Sequence, residues 1–155
     1  MWWRRVRYVL ALTALCAIAT CPRAKRACTA RNEAREARQL LDYLGDRVAD
    51  AVATTGKLPP TPAGPTPQPS CCEQGGTCDP DPATWAQPGW RELGFSIDGA
   101  YRYTYSYAPD PSRASGVLRA VGDLDCDGET ALFEVKLTIE DGKLVRTPTE
   151  TRPYE

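Results

Sequence analysis

No histidine occurs among the 155 residues, which removes the commonest general base and the commonest metal ligand. A cysteine nucleophile would have no imidazole to activate it. Cys-x-x-Cys pairs are also lacking although the chain carries seven cysteines, so a zinc site is not the expected reading. The longest apolar run, Tyr8 to Thr20, falls short of the roughly 20 residues that a bilayer span requires. Paired carboxylates for glycoside chemistry could come from Asp125, Asp127 and Glu129, but one sheet with one helix offers them little pocket. No catalytic residue is assigned, and no small-molecule substrate is expected.

What is present is strongly polarised along the chain. Residues 1–38 hold nine Arg and Lys against two Glu, a net +7, and the remainder holds ten against eighteen acidic residues, a net −8. The basic part adjoins the apolar run, which favours anionic lipid headgroups or a protein partner over nucleic acid. Arg4, Arg5 and Arg7 followed by the run have the shape of an export signal. Residues 1–21 are therefore read as a signal or membrane anchor. The rest is expected outside the cytoplasm, facing the periplasm from the inner membrane or at the cell surface. Ile18 to Cys21 loosely resembles a lipobox, which makes Cys21 a lipidation candidate, although Thr20 departs from the usual Gly or Ala.

Residues 22–56 predict a long amphipathic helix. Ala30, Ala34, Ala37, Leu41, Leu44, Val48 and Ala51 recur at steps of four and three. Thr29 is the expected N-cap, and Gly56 and Pro59 end the helix. Residues 57–90 read as a connector and a cysteine-rich loop. Six prolines between Lys57 and Ser70 favour an extended chain, and Gly75, Gly76, Pro80, Pro82 and Pro88 predict no regular structure beyond it. Trp85 and Trp90 are expected to pack at the margins of the core. Residues 91–155 predict an antiparallel head. Tyr101, Tyr103, Tyr105 and Tyr107 alternate with polar residues, and Pro109 and Pro111 end that strand. Val117 to Val121, Phe133 to Ile139 and Leu144 to Thr147 follow as strands, with Asp141-Gly142 as a hairpin turn. The tail from Pro148 is expected on the surface. The fold class is thus α+β, a long helix covering a three- to four-stranded antiparallel sheet.

Export favours disulfides over metal for the cysteines. Adjacent Cys71 and Cys72 do not readily pair with each other. Two pairings remain: Cys71–Cys78 with Cys72–Cys126, or Cys72–Cys78 with Cys71–Cys126. Either ties the loop Gly122 to Gly128 to the upstream cluster and leaves Cys28 over. That loop places Asp123, Asp125 and Asp127 at alternate positions before Gly128, and Glu134 completes the calcium pattern Asp-x-Asp-x-Asp-Gly-x5-Glu. Strands on both sides exclude a true EF-hand, so calcium would be held between strands. The bland alternative is an acidic turn, since Asp and Gly are ordinary turn residues.

Ala17 to Arg23 and the Ala- and Arg-rich helix resemble the hydrophobic segment of type IV pilins with its kinking proline. Trp90 to Ser96, the tyrosine strand and Ala120 to Gly128 are similar to the heads of pilin-like proteins of myxobacteria, as is the cluster Cys71 to Cys78. The resemblance, which includes the pseudopilins of type II secretion, implies a non-enzymatic structural subunit. It also implies a membrane-tethered helix and other pilin-like subunits as partners. The prepilin cleavage motif, a Gly followed by Phe-Thr-Leu-Ile-Glu, is missing.

Overall fold

The computed structural model describes residues 21–155, with side chains from Ala30 onward. The signal or anchor assigned to residues 1–20, and the side chains of Cys21 and Cys28, lie outside the described residues. Helix α1 spans Cys21–Thr55 without interruption. Thr29 is therefore an interior residue and not the expected N-cap. Ala34, Ala37, Leu41, Leu44, Val48 and Val52 are buried, so the stripe ends on Val52 where Ala51 was expected. Ala34 and Ala37 are as deeply buried as Leu41 and Leu44, whereas Ala30 is half-buried. Among the described residues, no helix is long and apolar enough to cross a membrane.

The sheet has five strands, not three or four: β1 (Ala63–Thr66), β2 (Thr104–Pro109), β3 (Ser115–Gly122), β4 (Ala131–Glu140) and β5 (Lys143–Thr151). They lie in chain order, each antiparallel to the next. The strand that sequence reasoning missed is β1, inside the proline-rich connector. It is an edge strand, where proline does least harm to the ladder. Gly64 holds a positive φ of 76° there, and a Cβ would run into the Tyr105 carbonyl, so the position admits only glycine. Pro109 pairs with Gly116 as the last residue of β2, so the strand ends at the prolines as expected.

Pro148 is exposed, as expected of the segment it opens, but it sits inside β5 opposite Val135 and not in a tail. The two-residue turn Asp141-Gly142 has both φ values positive (49° and 75°), as a type I′ hairpin requires. Counting from that turn, Pro148 falls at a position that does not hydrogen-bond to β4, so its missing N–H leaves the ladder intact.

One face of the sheet carries Tyr105, Tyr107, Leu118, Ala120, Phe133, Val135 and Leu137 against the apolar stripe of α1. Tyr101 belongs to this face of the core but bridges to Cys78 outside β2. The segment expected to be irregular contains two short 3-10 turns, Cys72–Gln74 and Thr84–Ala86, and a helix α2 over Pro88–Leu93. Pro88 opens α2, where its absent N–H costs nothing, and Gly94 closes it at φ 60°. Trp90 is wholly buried and Trp85 nearly so, well inside the core and not at its margin. The Trp90 indole N–H donates to Thr66 Oγ1 at 2.8 Å, and the Tyr107 hydroxyl donates to the Pro59 carbonyl at 2.8 Å. The first bond fastens α2 to β1, and the second fastens the start of the proline segment to β2.

Candidate functional site

The loop between β3 and β4 is built by one residue reaching forward. Asp123 Oδ1 accepts the Asp127 N–H at 3.1 Å and its Oδ2 accepts the Gly128 N–H at 2.9 Å. Asp127 Oδ1 in turn accepts the Glu129 N–H at 2.8 Å. Short carboxylate side chains are suited to capping backbone in this way, which is why Asp recurs in such turns. Gly128 has φ 96°, and Cys126 adopts φ 62°, an uncommon value for a residue with a Cβ.

Cys126 is bonded to Cys72, and Cys71 to Cys78, with Cα separations of 5.6 and 5.0 Å. Of the two pairings left open by the sequence, this is the one in which the nearer partners are Cys71 and Cys78. The acidic loop is thereby pinned beside the first 3-10 turn. There Glu73 accepts both the N–H and the hydroxyl of Ser70 at 2.9 Å, which holds its pKa below the ordinary range.

Asp123, Asp125 and Asp127 each offer a carboxylate oxygen, all within 4.8 Å of one another. Hard oxygen donors of this type fit calcium, which takes six to eight oxygens and tolerates irregular geometry. The fourth expected ligand is not brought to the loop. Glu134 lies on β4 opposite Arg119, and its carboxylate accepts the Arg119 Nε–H at 2.8 Å. Glu129, nearer in sequence, is paired with Arg152 at 2.9 Å. A cation here would rest on the three aspartates, with backbone or water completing its shell.

Two charged junctions where α1 meets the head were not foreseen. On one flank Glu33 and Glu36 converge on Arg102, with N–O distances of 3.1 and 3.6 Å, and Glu36 also accepts the Arg102 backbone N–H at 2.8 Å. Burial raises the Glu36 pKa, opposed by Arg102. Tyr103 and Tyr105 lie beside it, and burial pushes both phenols far above the ordinary range. On the opposite flank Arg38 grips Glu150 through two bonds of 2.7 Å, and Arg146 reaches Asp46 at 2.9 Å. The signal was available only in part: Glu33 and Glu36 sit one helical turn apart beside the apolar stripe, but their partners are remote in sequence. Comparison with family models, curated proteins and solved structures gives no match.

Proposed function

We propose that the chain is a pilin-like structural protein, a minor or accessory subunit of a type IV pilus or a type II secretion pseudopilus. It would be exported and tethered to the inner membrane or carried to the cell surface, and it would have no catalytic part. The observation that carries this reading is the continuity of α1. Its 35 residues extend about 52 Å, whereas the buried stripe from Ala34 to Val52 accounts for about 27 Å. The helix therefore enters the head already formed, and its earlier turns supply a rod by which neighbouring subunits could hold it. A helix feeding into an antiparallel, disulfide-pinned head is the arrangement the pilin resemblance implies.

Shearing separates a filament subunit from a free membrane protein. The full chain is expected in the sheared fraction, and substituting the half-buried Ala30 with Gln is expected to remove it while the head still folds. Ala34 and Ala37 are unsuitable for this test, because both are core residues whose enlargement would unfold the head. Mass spectrometry of the mature N-terminus adds a second check. A lipid on Cys21, with all material in the membrane fraction, would replace the subunit by a lipoprotein.

The acidic loop favours a second reading, a calcium-binding head that works alone. Its support is the approach of three carboxylates to within 4.8 Å, which repel one another unless a cation or solvent compensates. Millimolar calcium is then expected to raise the thermal midpoint, and Asp125→Asn to abolish the rise. An unchanged midpoint would sink it.

A further inference from the structure

A cleft of about 420 Å³ opens along the outer edge of β1, between Pro65 and Gln68 on one side and the segment from Cys78 to Gln87 on the other. Its size is within the range of small-ligand pockets, roughly 300–1,000 Å³. Its lining is unusual in its charge. Asp79 and Asp81 face it, and among the described residues no Lys or Arg does. Neither carboxylate enters an ion pair among the described residues. Asp81 is held in place by the Ala83 N–H at 2.9 Å and the Thr84 hydroxyl at 3.1 Å, which leaves each of its oxygens a further lone pair.

Tyr101 lines the same cleft. The residue is only 2% exposed, and its ring lies edge-on to Trp85 at 5.6 Å. Its hydroxyl makes no hydrogen bond among the described residues, although it is held against the lining where Asp81 acts on it. Burial first, and the Asp81 charge second, raise the Tyr101 pKa, so the phenol stays neutral at physiological pH. The hydroxyl itself is not sealed off: it keeps some exposure at the cleft, where it can bond a group that enters.

We propose that this cleft binds an organic cation, a guanidinium or alkylammonium group, through the carboxylates of Asp79 and Asp81 and the hydroxyl of Tyr101. The chemistry selects against the alternatives. An anion would meet two uncompensated carboxylates. A neutral polyol would leave both charges without a counter-charge. A metal ion needs its carboxylates gathered, and among the described residues only Asp123, Asp125 and Asp127 come that close. An N–H-rich cation matches acceptors that are spread around a pocket, and Gln68 and Gln87 add amide oxygens to the set. The inference does not depend on whether the chain assembles into filaments.

Isothermal titration of the full chain at low ionic strength tests it with two probes: agmatine, and a peptide with the sequence of residues 22–38. Saturable binding of agmatine is expected, weakened about tenfold by Asp79→Asn and by Tyr101→Phe separately. Asp79 is exposed, so its variant should fold normally, and Tyr101→Phe keeps the ring that packs on Trp85. A peptide that binds more tightly than agmatine and is competed by it would trace the cation to a polypeptide. Agmatine binding with no peptide binding would trace it to a free small molecule. No saturable binding of either probe, or binding that both variants leave unchanged, would overturn the proposal.

Discussion

The two flanks of α1 meet the head by different physics. One flank presents Glu33, Glu36, Tyr43 and Arg47 to a set of aromatic rings, with Tyr43 at 5.5 Å from Phe95 and Phe95 at 5.3 Å from Trp90. Its glutamates are drawn inward, and Arg47, though itself partly in water, donates to the Leu93 carbonyl at the end of α2. The other flank presents Arg38, Asp42 and Asp46 to β5, where the ion pairs lie partly in water. Buried aromatic area is removed from solvent once and stays removed, whereas an exposed ion pair exchanges one set of partners for another. The first flank should therefore set the stability of the head, and the second should fix where β5 lies.

The strongest way to break that contrast is Trp90→Ala. It removes the largest fully buried side chain and leaves Thr66 Oγ1 without its donor, for an expected loss of about 3–5 kcal/mol in urea unfolding. Arg38→Ala should cost much less, about 1 kcal/mol, even though its guanidinium also lies 5.4 Å from the Phe133 ring centre. Comparable losses in the two variants would erase the distinction.

Acid sharpens the comparison, because the two flanks titrate in opposite senses. Glu36 has its folded pKa raised by burial, so its contribution is fully present below the ordinary 4.5 and is lost as pH rises through the folded value. Glu150 has its folded pKa lowered by Arg38, so its contribution is present above 4.5 and is lost as pH falls through the folded value. Urea midpoints near pH 3 and near pH 6 should therefore diverge further in Glu36→Gln and draw together in Glu150→Gln. The same direction of change in both would contradict the assignment. The smallest effect is expected from Gly45→Ala. The added methyl group would displace only the mobile end of Arg146, 2.9 Å away, while helix propensity improves. The outcome should lie between no change and a gain of about 1 kcal/mol, with the Arg146–Asp46 pair loosened.

The parts legible in the sequence are those with a local period. The tyrosine alternation, the four-and-three stripe of α1 and the Asp141-Gly142 turn each state their geometry within a few residues. Proline defeated the reading twice, at β1 and at Pro148. Its cost depends on whether its nitrogen faces a neighbouring strand, and only the sheet order reveals that. Trp85 and Trp90 looked marginal because the prolines around them argued against structure, yet two indoles are what give the short turns something to pack on. The calcium pattern counted correctly to Glu134, and the alternation already placed that residue on a strand, but its cross-strand partner Arg119 is not legible locally. Adjacency forbade Cys71 from pairing with Cys72, and nothing local could choose between the two pairings that remained.

Cys72 and Cys126 are 54 residues apart, and the bond between them closes β2, β3 and much of the aromatic core into one covalent ring. If the chain is pulled by its two ends, none of that ring can pay out. It withholds about 180 Å of slack that an unbridged chain would yield. Load instead passes across the bond, from the proline segment to β4. In mechanical terms the acidic loop is a shackle, and the head would stretch only through α1, the connector and the β4–β5 hairpin.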